Sequence, residues 1–152
     1  MASPVQTSEK DFVFNIPLLP AEHARGIDLI ATYGSPKTLV QAVTVTQALL
    51  DKHGFQGNAA KLYLVPCYDF KMAPVLNLGD AVIVDTSIQS FTEEGLYVVQ
   101  RGAGVYIRHI EALPDNVLRL KSEDPMDIDV LTTHELANVL GKVVLSLRLS
   151  AA

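Results

Sequence analysis

Tryptophan is absent from these 152 residues, and cysteine occurs once, at Cys67. One thiol excludes a disulfide framework and a cysteine-rich zinc site, and it fits a reducing cytosol. No run of about 18 apolar residues is present to span a membrane. The opening MASPVQTSEKDF lacks the apolar stretch of a signal peptide, so a cytoplasmic protein is expected. Charge is sparse too: Lys, Arg, Asp and Glu make up 19% of the chain, against a usual ~25%. The balance is acidic, 17 acids against 12 bases for a net charge of −5, with a pI near 5.2. That sign argues against a surface that gathers phosphates. Phosphate cradles are missing as well, since there is no GxxxxGK[ST] and the GAG at 102–104 is too short for a dinucleotide fingerprint. The basic residues are scattered, without the interleaved aromatics of a single-strand platform. His23, His53, His109 and His134 show no HxH, HExxH or H-x₃-H spacing, so no metal site is expected from them. SEDPMDID offers Glu123, Asp124, Asp127 and Asp129, but it lacks the glycine and glutamate spacing of a calcium loop and reads as a solvated loop. No cofactor is expected.

What the chain does have is apolar content, 49% of residues, with a mean hydropathy of +0.24. A domain of this length buries about 68–70% of its unfolded surface and needs no covalent staple. That composition excludes a disordered polyelectrolyte. Residues 1–10 are small and polar and read as a leader or linker remnant, with one domain over 11–150. FVFNIPLLPAEHARGIDLIATYGSPK carries three of the eight prolines, which suggests a short extended piece and then an irregular excursion. TLVQAVTV is strand-like, and Thr46 is placed to cap a short helix, QALLDKHG, that stops at Gly54. KLYLVPCY, LYVVQR, VYIRHI and VLRLKS then read as strands, NLGDAVIVD as a Gly79-Asp80 turn in front of a strand of Ala81, Val82, Ile83 and Val84, and Gly102-Ala103-Gly104 as a three-residue hairpin loop. At the end Val143, Leu145, Leu147 and Leu149 alternate with Val144, Ser146, Arg148 and Ser150, the period of a half-buried strand. About six short strands with one or two short helices give a mainly β fold.

Cys67 is the first candidate nucleophile to weigh. A reactive thiol needs a helix N-terminus or a positioned base. Cys67 instead follows Pro66 in an apolar strand pattern, where a small buried hydrophobe is the ordinary occupant.

A run of blocks carries more information. D-F-K-M-A-P at 69–74 is followed by VLNL and then by G-D-A-V-I-V-D at 79–85. Gly95-Leu96-Tyr97-Val98-Val99 precedes a hairpin that leads to Ile107-Arg108-His109-Ile110. Leu120-Lys121-Ser122-Glu123-Asp124-Pro125 and Leu140-Gly141-Lys142-Val143-Val144 complete the series. In order and spacing these blocks resemble the C-terminal domain of the LexA and phage CI repressors, the self-cleaving Ser–Lys peptidases that include UmuD. The family's pattern is G-D-S-M-x-P, four residues, then G-D-x-V-x-V-D; Met72, Pro74, Gly79, Asp80, Val82, Val84 and Asp85 match it in register. The resemblance implies a LexA/UmuD-like β-ribbon fold.

It also implies where chemistry should be, and there the chain departs from the pattern. The family's nucleophilic serine falls at Lys71, and its general-base lysine falls at Arg108. A Ser–Lys dyad needs a hydroxyl that attacks and an amine that takes its proton. Lys71 has no hydroxyl, and arginine keeps its proton in proteins. The expectation is a peptidase fold without peptidase chemistry, whose cleft has either drifted or turned to binding something acidic, such as Asp69 or a partner's carboxylate. What the resemblance then leaves is assembly: a homodimer or higher oligomer, with Val143, Leu145, Leu147 and Leu149 as the candidate self-pairing strand. Contact with DNA would come only through an N-terminal helix-turn-helix domain not present in these residues, and an antirepressor protein would replace self-cleavage as the off-switch. Two alternatives stay open: an active peptidase using Ser87 or Ser122, and a UmuD-like polymerase accessory subunit.

Overall fold

The computed structural model describes residues 12–20, 42–67, 70–77, 79–102 and 104–148. The leader at 1–10, His23, Asp69, Leu149 and most of the proline-punctuated excursion lie outside the described residues.

Among the described residues there are nine strands and one α-helix. β1 (Val13–Pro17) and β2 (Ala42–Thr46) form an antiparallel pair, and α1 (Gln47–Lys52) follows directly. The cap of α1 is the expected one: Thr46 has extended backbone and its Oγ1 accepts from Leu49 N at 3.1 Å. Gly54, at φ +75°, takes the left-handed conformation just past the helix end. Six residues are too few to hold a helix by propensity, so the burial of Leu50 against the core fixes it.

β3 (Leu62–Pro66), β4 (Ala81–Asp85), β5 (Gly95–Arg101), β6 (Gly104–Leu113), β7 (Val117–Lys121), β8 (Val130–Thr133) and β9 (Val139–Leu147) make one seven-stranded antiparallel sheet, ordered β3-β4-β9-β5-β6-β7-β8. A bridge from Leu18 to Leu64 ties the two-stranded unit to the β3 side. The unbroken apolar run of β4 is explained by burial on both faces. Ala81 and Ile83 join Phe14, Ile16, Leu50 and Phe55 in one core, while Val82 and Val84 join Cys67, Met72, Leu76 and Val98 in another. A third cluster, around Tyr97, Ile110, Leu118 and Leu120, underlies the β5–β7 end.

Three details differ from the sequence expectation. The β5–β6 hairpin turns on two residues, not three, because Gly104 is taken into β6 opposite Arg101. β8 is an additional strand; VLTT has no clear alternation, and its pairing with β7 makes it one. The closing strand β9 is third in the sheet, between β4 and β5, and is not an edge strand. Its alternation is also broken. The register slips so that Ile83 faces Leu145 while Val84 faces Val143, leaving Val144 as the extra residue of a bulge. Val143 therefore packs on the Cys67 side, and Leu145 and Leu147 on the Phe14 side. Beyond Lys142 the register with β5 ends, so among the described residues Val143–Leu147 pairs with β4 alone.

Candidate functional site

Lys71 sits in a 3₁₀ turn, Phe70–Met72, between β3 and β4. Met72 and Leu76 anchor that stretch in the core, 1% and 0% exposed, while Lys71 points outward. The G-D-A-V-I-V-D block that follows has a structural reason at nearly every position. Gly79 has φ +93° and donates from its N–H to Cys67 O at 3.0 Å, a backbone that a Cβ would strain. Buried Asp80 closes the turn by accepting from Asn77 N at 2.9 Å, and its carbonyl accepts from Cys67 N at 2.7 Å. Asp85, also buried, accepts from the backbone and hydroxyl of Ser87. Cys67 is 3% exposed within this apolar layer, as its sequence context predicted.

Arg108 comes from the middle of β6, opposite Tyr97 of β5. Its Nη1 donates to Ile107 O at 2.8 Å, and its guanidinium carbon stands 5.2 Å from the centre of the Tyr106 ring, within cation–π reach. Lys71 and Arg108 line the same cavity, of about 280 Å³. The two positions singled out by sequence are thus brought together from elements 37 residues apart (71 to 108). Arg101, Tyr106, Asp127 and Ile128 line the cavity with them, over a floor of Leu120 and Val130.

Asp127 is the site residue that the sequence reading missed, having been placed in a solvated loop. Its Oδ1 accepts from Lys71 Nζ at 3.0 Å and its Oδ2 from Ser122 Oγ at 2.8 Å. The Ser122 hydroxyl and then the Lys71 ammonium hold the Asp127 carboxyl below its ordinary value. The loop is pinned again by Glu123 N, which donates to Lys71 O at 2.7 Å. A serine and an aspartate five apart around Pro125 are the signal that could have marked this as a structured loop. Asp69, the other expected partner of Lys71, lies outside the described residues.

The alternative nucleophiles are both held by carboxylates close to them in the chain. Ser87 Oγ donates to Asp85 at 2.6 Å, and Ser122 Oγ to Asp127 as above. Neither serine lines the cavity that Lys71 and Arg108 share. Elsewhere on the sheet, Glu94, His109 and Glu111 bring possible metal-ligand atoms within 4.8 Å of one another, a grouping that sequence spacing did not show. Arg119 Nη1 already donates to Glu111 Oε1 at 2.7 Å, so one of the three groups is engaged by a cation of the protein itself. No helix among the described residues is long and apolar enough to cross a membrane.

Set against known proteins, residues 28–144 match the sequence model of one family, described as Peptidase S24-like. No curated protein matches the chain.

Proposed function

Since the chain belongs to the Peptidase S24-like family, we propose that it is the oligomerisation domain of a phage-type transcriptional repressor whose self-cleavage dyad has been lost. The observation that carries this reading is the pair Lys71 and Arg108 in one cavity. They stand where the resemblance puts nucleophile and base, yet an ammonium and a guanidinium supply neither an attacking oxygen nor a proton acceptor. The motif residues that the turn and the core need, Met72, Gly79, Asp80, Val82, Val84 and Asp85, keep the family pattern. The departures include the two positions that hydrolysis needs, Lys71 and Arg108, together with Asp69-Phe70 in place of the pattern's Gly-Asp before the nucleophile.

Without cleavage, holding DNA-binding heads together is the work that remains. Linking two heads raises their effective concentration at paired operator half-sites. The surface that supports self-association is the far half of β9, where Val143–Leu147 has β4 along one side among the described residues. A second copy pairing there across a two-fold axis would extend both sheets. Release would then fall to a partner protein instead of autoproteolysis.

The test takes the intact chain to alkaline pH, the condition expected to stimulate self-cleavage, and follows its mass, while sedimentation at high micromolar concentration follows its assembly. An undivided chain that sediments as a dimer or larger is the expected result. A discrete pair of fragments would restore the peptidase reading, with Ser122 or Ser87 the first serines to replace. A monomer at high concentration would remove the oligomerisation reading.

A further inference from the structure

The cavity that lost its dyad has acquired a distinct chemistry. Three cations from three separate elements surround it: Lys71 from the 3₁₀ turn, Arg101 from the end of β5 and Arg108 from the middle of β6. One carboxylate, Asp127, lines it among the described residues, and that group is bridged by Lys71 and Ser122. This concentration of positive charge sits on a chain of net charge −5. The remaining lining is apolar. Leu120 and Val130 line it with the Tyr106 ring, and so does Ile128, 86% exposed. An apolar side chain so exposed at the edge of a concave, cation-lined site suits a contact surface better than a solvated one.

We propose that this groove binds an acidic, extended peptide segment of a partner protein, its carboxylates held by Arg101 and Arg108 and its apolar side chains laid against Ile128 and Val130. Arginine forks match carboxylates with paired, charge-assisted hydrogen bonds, and Tyr106 under Arg108 holds that guanidinium by its ring face. β8 strengthens the case for an extended ligand. It is the last strand of the sheet, so its outer backbone groups have no strand partner among the described residues, and such an edge accepts an added strand. A nucleic acid fits less well, because a repeating polyanion would meet the acidic remainder of the molecule. The inference rests on the reading that the site no longer hydrolyses peptides, since an active site would cut what it held.

The test is fluorescence anisotropy of the full chain with a labelled peptide of alternating aspartate and leucine, beside asparagine–leucine and lysine–leucine versions and a labelled single-stranded oligonucleotide. Saturable binding of the aspartate peptide alone is expected, weakened about tenfold by Arg101→Gln and again by Arg108→Gln. Arg108→Lys, which keeps the charge, should recover part of the loss, and thermal melts of each variant separate lost binding from lost folding. Equal binding of the asparagine peptide, unchanged affinity in folded arginine variants, preference for the oligonucleotide or no binding at all would each overturn the proposal. The mass of the recovered peptide reads the underlying assumption separately: groove-dependent binding with a cut peptide would overturn the loss of hydrolysis and leave the binding site standing.

Discussion

Tyr97 is fully buried, and its hydroxyl reaches the bend before β5, where four groups of Thr92 and Glu93 lie within hydrogen-bond distance. It donates to Glu93 O at 2.6 Å and accepts from Thr92 N at 3.1 Å and Glu93 N at 3.2 Å. One phenol thus closes a bend that has no secondary structure of its own, and Phe91 packs against its ring at 5.8 Å. Tyr97→Phe keeps the ring and orphans these groups, so urea denaturation should show a loss of about 1–3 kcal/mol, with the β5–β6 hairpin otherwise intact. The same replacement should leave peptide binding at the Arg108 cavity unchanged, because Tyr97 does not line it. At this scale the sequence was readable where a residue type has one plausible task. Cys67 in an apolar strand and Gly79 before Asp80 are such residues. It was unreadable where the task depends on a distant partner, as with Asp127, which meets Lys71 across 56 positions.

Among the elements, α1 and β9 are instructive opposites. The limits of α1 are written locally, in the Thr46 cap and the glycine stop. Thr46→Ala should destabilise the domain by about 1 kcal/mol in denaturant titration, whereas Thr46→Asp should leave it nearly unchanged, since a carboxylate can also accept from the first-turn amides. β9 shows the limit of local reading. Its alternation of apolar residues predicts one buried face, but the bulge at Val144 sends Val143 and Leu145 to different cores. Nor does alternation say whether a strand lies inside a sheet or at its edge. That is decided by pairing with β4 and β5, whose partner residues come 40 or more positions earlier in the chain. Gly141 records how tight this packing is: a Cβ there would come within 3.1 Å of Asp85 O on the neighbouring strand. In the four sequence blocks taken together, the fold family was legible; in any single strand, the sheet order was not.

The whole molecule is acidic, yet its described ion pairs put several of its carboxylates to use. Lys142 holds Glu93, mainly by a hydrogen bond and then by its charge, and Glu93 is kept below its ordinary value. Asp127 is lowered by Ser122 and Lys71. A carboxyl whose folded value lies below its unfolded one adds stability that is complete above the unfolded value and disappears as pH falls through the folded one. The stability of the domain should therefore be flat from neutrality down to about pH 4 and fall below it. Because Glu93 is exposed and Asp127 is only half-buried, the loss from each should be small and reduced by salt. Urea midpoints measured across this range, for the parent and for Asp127→Asn, check the point: the variant should lose less on acidification.

Alternate side chains of β4 enter two separate apolar compartments, and the strand has no exposed residue with which to slip. Pulling this ribbon out would flood both compartments in a single step. The domain is thereby built to give way as a unit rather than by halves, and a groove assembled from β5, β6 and their neighbours would vanish with it, leaving no partly folded remnant able to grip a partner.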